Sequence, residues 1–329
     1  MISNEWSINS ERLNRPGREH NIIYEWEDVL SLELGLKVVN RMNLKMEFID
    51  KVLGHLRINP LGHFQRRKAI VFKLSANTYS DWTNSSKIIP WIIDFYLPSY
   101  KYDNFFKVTS RNHVVFISSR EVYELLTKHK LFDKEKYIHM PLTMPDKYRI
   151  NGNEHFDKKY DLVMPGRSDS MLMSFVEHYA DEHPDFTYVA REHIDGKCAY
   201  SVNNRMLGKK RIYSFNSQDA YLDLVKSGKI GLWSTRGLDF LECNGYNQVT
   251  PRLLELMTCG CHVIVRYPDN ADTRYWRVNE ISPSINDYES FRLRMDVCLS
   301  SEVDMKSYAR YLNSHYTSNL VFEIKKYLY

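Results

Sequence analysis

Proline and glycine are scarce in this chain, with 11 and 13 among 329 residues. That scarcity excludes long flexible linkers, and no repeat or low-complexity tract is present. Long apolar runs are also missing. The most apolar stretches, such as residues 88–97, fall well short of the roughly 20 residues that cross a bilayer. Residues 1–21 are polar and charged and lack the apolar core of a signal peptide. The expectation is therefore a soluble or peripheral protein, cytoplasmic by default. Cysteines number five, and an odd count without a secretion signal fits reduced thiols. Cys259 and Cys261 flank Gly260. A metal or redox pair would need partner ligands that the sequence does not offer, so small buried residues at a tight turn are expected. The chain has no metal-ligand cluster, no Asp-x-Asp pair of the kind used by metal-dependent transferases, and no Walker loop.

What is present suits two globular domains: 329 residues, of which 43% are hydrophobic. The net charge of +4 hides an asymmetry. Residues 1–150 hold 23 Lys/Arg against 17 Asp/Glu, and residues 151–329 hold 22 against 24. A basic first half suits an anionic partner, whether membrane surface, lipid phosphate or nucleic acid, although a plain solvated surface explains it as well. The basic stretch 63–68 could rest on an anionic membrane; a charged connection is the simpler account.

Periodicity places residues 25–56 in helix. Residues 68–75, 88–95, 113–118 and 137–141 read as strands, with Pro90 expected at a sheet edge or a strand start. Ser119 should cap a helix across 121–127. A polar stretch at 146–159 marks the domain boundary. Beyond it, strands are expected at 160–164, 186–189, 211–215, 230–234 and 262–267, with helices at 169–183 and 218–227. The end, 303–329, reads as two helices broken near 316–318. Strands alternating with helices imply parallel α/β sheets.

The richest stretch is residues 245–265. Thr250 is a suitable N-cap and Pro251 a suitable first helical residue. Such a helix start is an anion site, and Arg252 adds a full charge there. Glu255 follows three residues later, on a neighbouring part of the same face. An anion site beside a carboxylate is what a nucleotide-sugar pocket needs.

Residues Pro251-Arg-Leu-Leu-Glu255-Leu-Met-Thr-Cys-Gly260-Cys-His-Val-Ile resemble the Pro-x-x-x-Glu-Ala-x-Ala-x-Gly-x-Pro-Val-Ile signature of GT-B glycosyltransferases. The likeness is to retaining, family-four-like enzymes and the spore-coat glycosyltransferase-like group. It is good over 216–267, weaker over 161–191 and faint before 148. The resemblance implies two Rossmann-like α/β domains with a cleft between them: an acceptor domain at 1–150, a donor domain at 151–310, and a last helix at 311–329 crossing back. It implies that Glu255 holds the donor ribose and that the helix start holds the diphosphate. Many relatives carry a second Glu eight residues earlier, where this chain has Asn247, an uncharged hydrogen-bonding residue.

Three loops lie where strand ends should face a ligand. Gly166 and Arg167 should approach the donor phosphates, or Arg167 is a plain surface residue. Asn216 should lie near the base, or simply cap a helix. In the long loop 234–250, Gly245 lets backbone approach a sugar or phosphate, while Asn247 and Gln248 read hydroxyls. Asp94, after a strand of the first half, is the candidate acceptor base, or a cap. The expected function is transfer of a sugar from a nucleotide-diphosphate-sugar to a glycan or lipid-linked acceptor. Surface polysaccharide synthesis is the expected setting, with no metal, no cofactor and no nucleic-acid partner. A non-catalytic relative that binds nucleotide or glycan is the alternative. A nucleic-acid binder ranks below it, for lack of a recognisable motif.

Overall fold

The computed structural model describes residues 5–10, 22–40, 52–53, 56, 67–167, 169–194, 197–212 and 217–328. Two units emerge. Unit 1 takes residues 1–146, 241–248 and 316–329, and unit 2 takes 147–240 and 249–315. Each contains a six-stranded α/β sheet.

Unit 1 comprises β1 (Trp6–Ser10), α1 (Ile22–Leu34), β2 (Lys37–Asn40), β3 (Lys68–Ser75), β4 (Ile88–Asp94), α2 (Tyr102–Val108), β5 (Val115–Ile117), α3 (Arg120–Leu126) and β6 (Tyr137–His139). Its sheet order is β2-β1-β3-β4-β5-β6, parallel throughout. Strands β3 and β4 are apolar runs because both sheet faces are covered. The core stacks Phe72 on Trp91 with ring centroids 4.9 Å apart, and Trp91 meets Phe116 edge-on. The buried indoles of Trp26 and Trp91 donate to the carbonyls of Thr143 and Met140. Ser119 caps α3 as expected, accepting from the Val122 N–H.

One expectation for this unit fails and another is narrowed. Residues 25–56 are not one helix. Gly35, at φ +65°, ends α1, and the β-branched pair Val38-Val39 continues as β2. Of the two places expected for Pro90, the sheet edge is excluded, since β3 and β5 flank β4, and the entry to the strand is kept. Its ladder to β5 runs at Trp91 and Ile92, so Pro90 removes no bond from it.

Unit 2 comprises β7 (Tyr160–Met164), α4 (Ser170–Glu182), β8 (Tyr188–Ile194), β9 (Lys197–Asn204), β10 (Gly208–Ile212), α5 (Gln218–Lys226), β11 (Gly228–Ser234), α6 (Arg252–Thr258), β12 (His262–Arg266), α7 (Ala271–Tyr275), α8 (Val278–Ile281), α9 (Tyr288–Ser300) and α10 (Met305–Leu312). The order is β10-β9-β8-β7-β11-β12. Strands β8, β7, β11 and β12 are parallel, but β9 and β10 are antiparallel additions that sequence reading missed. Three residues separate β9 from β10, and a connection that short can only reverse the chain. The strand expected at 211–215 is the end of β10; residues 213–216 lie outside the described ones.

The chain finishes in unit 1 with α11 (Val321–Lys325). Val321, Ile324 and Leu328 enter the core that holds Trp26 and Trp91. Ser318 donates to Asp146 through both N–H and hydroxyl. Tyr308 and Tyr311 belong to unit 2, where they donate to the carbonyls of Cys261 and Trp276.

A half-buried ion pair fixes the helix-free crossover from β3 to β4. Lys73 Nζ lies 2.5 Å from Asp81 Oδ2, which also accepts from Asn77. Burial raises the Asp81 pKa, but the charge and hydrogen bonds of Lys73 and Thr83 outweigh it, leaving a net lowering. The stability this adds is present above the unfolded carboxylate pKa and is lost as pH falls through the lowered folded value. Asp81→Asn should cost about 2 kcal/mol at pH 7, by leaving the half-buried Lys73 ammonium without its carboxylate. The deficit should shrink in acid. Denaturant melts at pH 7 and pH 3 check this, and an equal deficit at both would contradict it.

Candidate functional site

Ligands of open α/β sheets bind outside the carboxyl ends of the strands, where the strand order changes direction. In unit 2 that point lies between β7 and β11: the chain steps from β7 to β8 on one side and later adds β11 on the other. The described loop residues of unit 2 there are 165–167, 169, 235–240 and 249–251.

The first loop turns at Gly166, which has φ +101°. The guanidinium of Arg252, the first residue of α6, lies directly on its Cα. A Cβ at Gly166 would stand 2.2 Å from Arg252 Cζ. Arg252 Nε is buried without a hydrogen-bond partner. Burial disfavours the Arg252 charge, but Tyr221 and Glu255 beside it outweigh that and hold the pKa up. Glu255 is buried; its two oxygens accept from Gln218 Nε2 at 2.8 Å and the Tyr221 hydroxyl at 3.1 Å. Burial raises the Glu255 pKa, and Arg252, Gln218 and Tyr221 offset only part of that. Each carboxylate oxygen keeps a further lone pair for a ligand hydroxyl.

Neighbouring strand ends add more charge. Arg167 and Arg236 each lie 5.5 Å from the ring centroid of Phe240. Arg266, the last residue of β12, reaches Asp169 at 2.7 Å and Asp239 at 3.3 Å. Asp169 in turn caps α4 by accepting from the Leu172 N–H. The structure thus brings Gly166, Arg167, Arg252 and Glu255 into one region. It adds Asp169, Tyr221, Asp239 and Arg266, which sequence reading did not single out. Their residue types gave no signal, because their grouping exists only once the strands are aligned.

Other expectations change. Thr250 does not cap α6. Its hydroxyl accepts from the Trp233 indole at 3.1 Å, and the seven-residue helix has no side-chain cap. The Leu253 N–H is taken by the Thr250 carbonyl, so the positive charge here comes from the arginine side chains more than from the helix start. Asn216 lies outside the described residues.

Gly245, Asn247 and Gln248 belong to unit 1, although the sequence placed them in the second domain, 151–310. Asn247 donates its backbone N–H to Glu121 at 2.7 Å. The Gln248 amide, buried, donates to the Ile93 carbonyl and Ser118 Oγ, each at 2.9 Å. The Tyr246 hydroxyl meets that of Tyr102 at 2.7 Å. These anchors draw residues 241–248 over the carboxyl ends of β4 and β5. Gly245 has φ +78° with open space around it, so it serves the bend and not a close approach. Asp94 closes β4 at the same end, half-buried, with the Tyr96 hydroxyl 3.5 Å from Oδ1.

Among the described residues no group of three or more His, Cys, Asp or Glu could hold a metal ion. Also among them, no helix is long and apolar enough to cross a membrane. The four cysteines whose side chains are described are free and buried.

No family model matches the chain, and no curated protein does. Among solved structures it is similar to a DNA-modifying β-glucosyltransferase, crystallised with and without uridine diphosphoglucose. The identity is 13% and the TM-score 0.49, covering 98% of each chain. It is also similar to the glycotransferase of kitacinnamycin, at 10% identity and a TM-score of 0.49, covering 98% of this chain and 97% of that one. Likenesses this distant assign no family and no residue role.

Two predictions follow from the geometry. Gly166→Ala should displace Arg252 and strain the turn, costing about 1–2 kcal/mol. An unchanged melting temperature would contradict the close approach. For Glu255, a raised folded pKa means its stability contribution is full below the unfolded pKa and is lost as pH rises through the folded value. Glu255→Gln should remove that loss, so its melting temperature relative to the parent should climb between pH 4 and pH 7. A constant difference across that range would show that the carboxyl is not perturbed.

Proposed function

We propose that this chain is a glycosyltransferase that takes a sugar from a nucleotide-diphosphate-sugar and passes it to a glycan or lipid-linked acceptor. The observation that carries this reading is Arg252 lying on Gly166 at the switch point of unit 2, with Glu255 beside it. Arg167, Arg252 and Arg266 supply positive charge where a departing diphosphate gathers negative charge in the transition state. Glu255, with free lone pairs, suits a pair of ribose hydroxyls. In the first unit Asp94 is the candidate group for orienting or deprotonating an acceptor hydroxyl. Retention of configuration, independence of metals and a role in surface polysaccharide synthesis accompany the sequence resemblance and belong to the same proposal. A non-catalytic nucleotide-binding protein is the second reading, favoured by Asn247, which stands where relatives carry Glu and is tied into unit 1 by Glu121.

The test is thermal stabilisation by a panel of nucleoside diphosphates and their sugars, with and without chelator, followed by a transfer assay. Ligand at about 100 times its Kd should add about 2.7 kcal/mol. Arg252→Ala should weaken nucleoside diphosphate binding about 10- to 100-fold, the value of one or two charge-assisted hydrogen bonds, and nucleoside binding far less. Equal losses for both ligands would remove Arg252 from the phosphate site. Binding without transfer to any acceptor would favour the second reading.

A further inference from the structure

Resting on that donor-site reading, we propose that Asp239 is an internal competitor of the donor diphosphate. Its carboxylate occupies the phosphate-binding groups in the free protein and withdraws with residues 236–240 when a diphosphate arrives.

Asp239 Oδ2 accepts from the Ser170 N–H, the first of the 13-residue helix α4, at 2.5 Å. Its Oδ1 lies 3.3 Å from Arg266 NH1, the same nitrogen that Asp169 holds at 2.7 Å. The adjacent Phe240 ring covers Arg167 and Arg236. One short loop segment thus sets an anion on the helix start and Arg266, and a ring on two further guanidiniums. In the same turn, Arg252 Nε stays buried without a hydrogen-bond partner beside Gly166.

Asp239 is neither the side-chain N-cap of α4 nor the nearer partner of Arg266. Asp169 already caps α4 at the Leu172 N–H and already balances Arg266. Asp239 therefore places a second carboxylate on the Arg266 nitrogen that Asp169 already holds, and like charges at close range repel. A diphosphate can accept from the same N–H and the same arginine, and it gains Arg167 and Arg252 besides. Two ligands that need the same groups exclude each other, so affinity for the incoming anion is reduced by the fraction of time the loop is closed.

The experiment is calorimetric titration with inorganic pyrophosphate, and with whichever nucleoside diphosphate stabilises the parent, on the parent and on Asp239→Asn. Asn can still accept from the Ser170 N–H, so the substitution isolates the charge. The variant should bind pyrophosphate about 10-fold more tightly. Equal or weaker binding by the folded variant would overturn the proposal and make Asp239 a plain positioning residue. If the parent binds a nucleoside diphosphate and the variant's affinities are unchanged, the competitor role fails while the donor reading stands. If neither protein binds any of these ligands, both fall. Should Asp239→Asn not fold, Phe240→Trp provides the readout: pyrophosphate should shift the indole emission as the ring leaves its guanidiniums. Calorimetric binding with no change in emission would again overturn the proposal.

Discussion

The side chain of Arg252 is half-buried beside a glycine that has no room for a Cβ, and the candidate site of unit 2 is organised around that approach. Gly166 supplies the bare Cα and the positive φ that turn the chain between β7 and α4. Glu255 and Tyr221 keep the guanidinium charged in a setting that would otherwise disfavour it. The same tyrosine and Gln218 hold Glu255 in place. Removal of any of these groups would leave a buried charge or a strained turn, which is why they act as one arrangement and not as separate contacts.

Much of the fold was legible because buried parallel strands announce themselves as short apolar runs. Strands β3, β7 and β12 lie almost residue for residue where such runs predict. The strands that were missed are those for which that signal is absent. β10 carries Lys209, Lys210 and Arg211 on an exposed edge, a composition that discourages further strand pairing but hides a strand from sequence reading. β2 is four residues long and follows α1 so closely that its valines pass as a continuing helix.

The candidate site was legible where its grouping is local and obscure where it is tertiary. Gly166, Arg167, Arg252 and Glu255 could be named from their neighbours in sequence. Asp239 and Arg266 could not, since what links them to Asp169 and Ser170 is the alignment of strand ends. Thr250 shows the limit of a local rule: a good capping residue was drawn instead to the Trp233 indole. The segment 241–248 shows the limit of connectivity. It joins β11 to α6, yet its buried glutamine and tyrosine bind within unit 1. Anchors of that kind make its polar residues structural as well as candidates for contact with an acceptor.

A crystal structure with a bound nucleoside diphosphate tests the central claim most directly. The account predicts both phosphates within hydrogen-bonding distance of Arg252 and Arg167, above the carboxyl ends of β7 and β11, with the ribose against Glu255. A diphosphate at the opposite end of the same sheet, in the cavity lined by Lys158, Lys229 and His262, would contradict it.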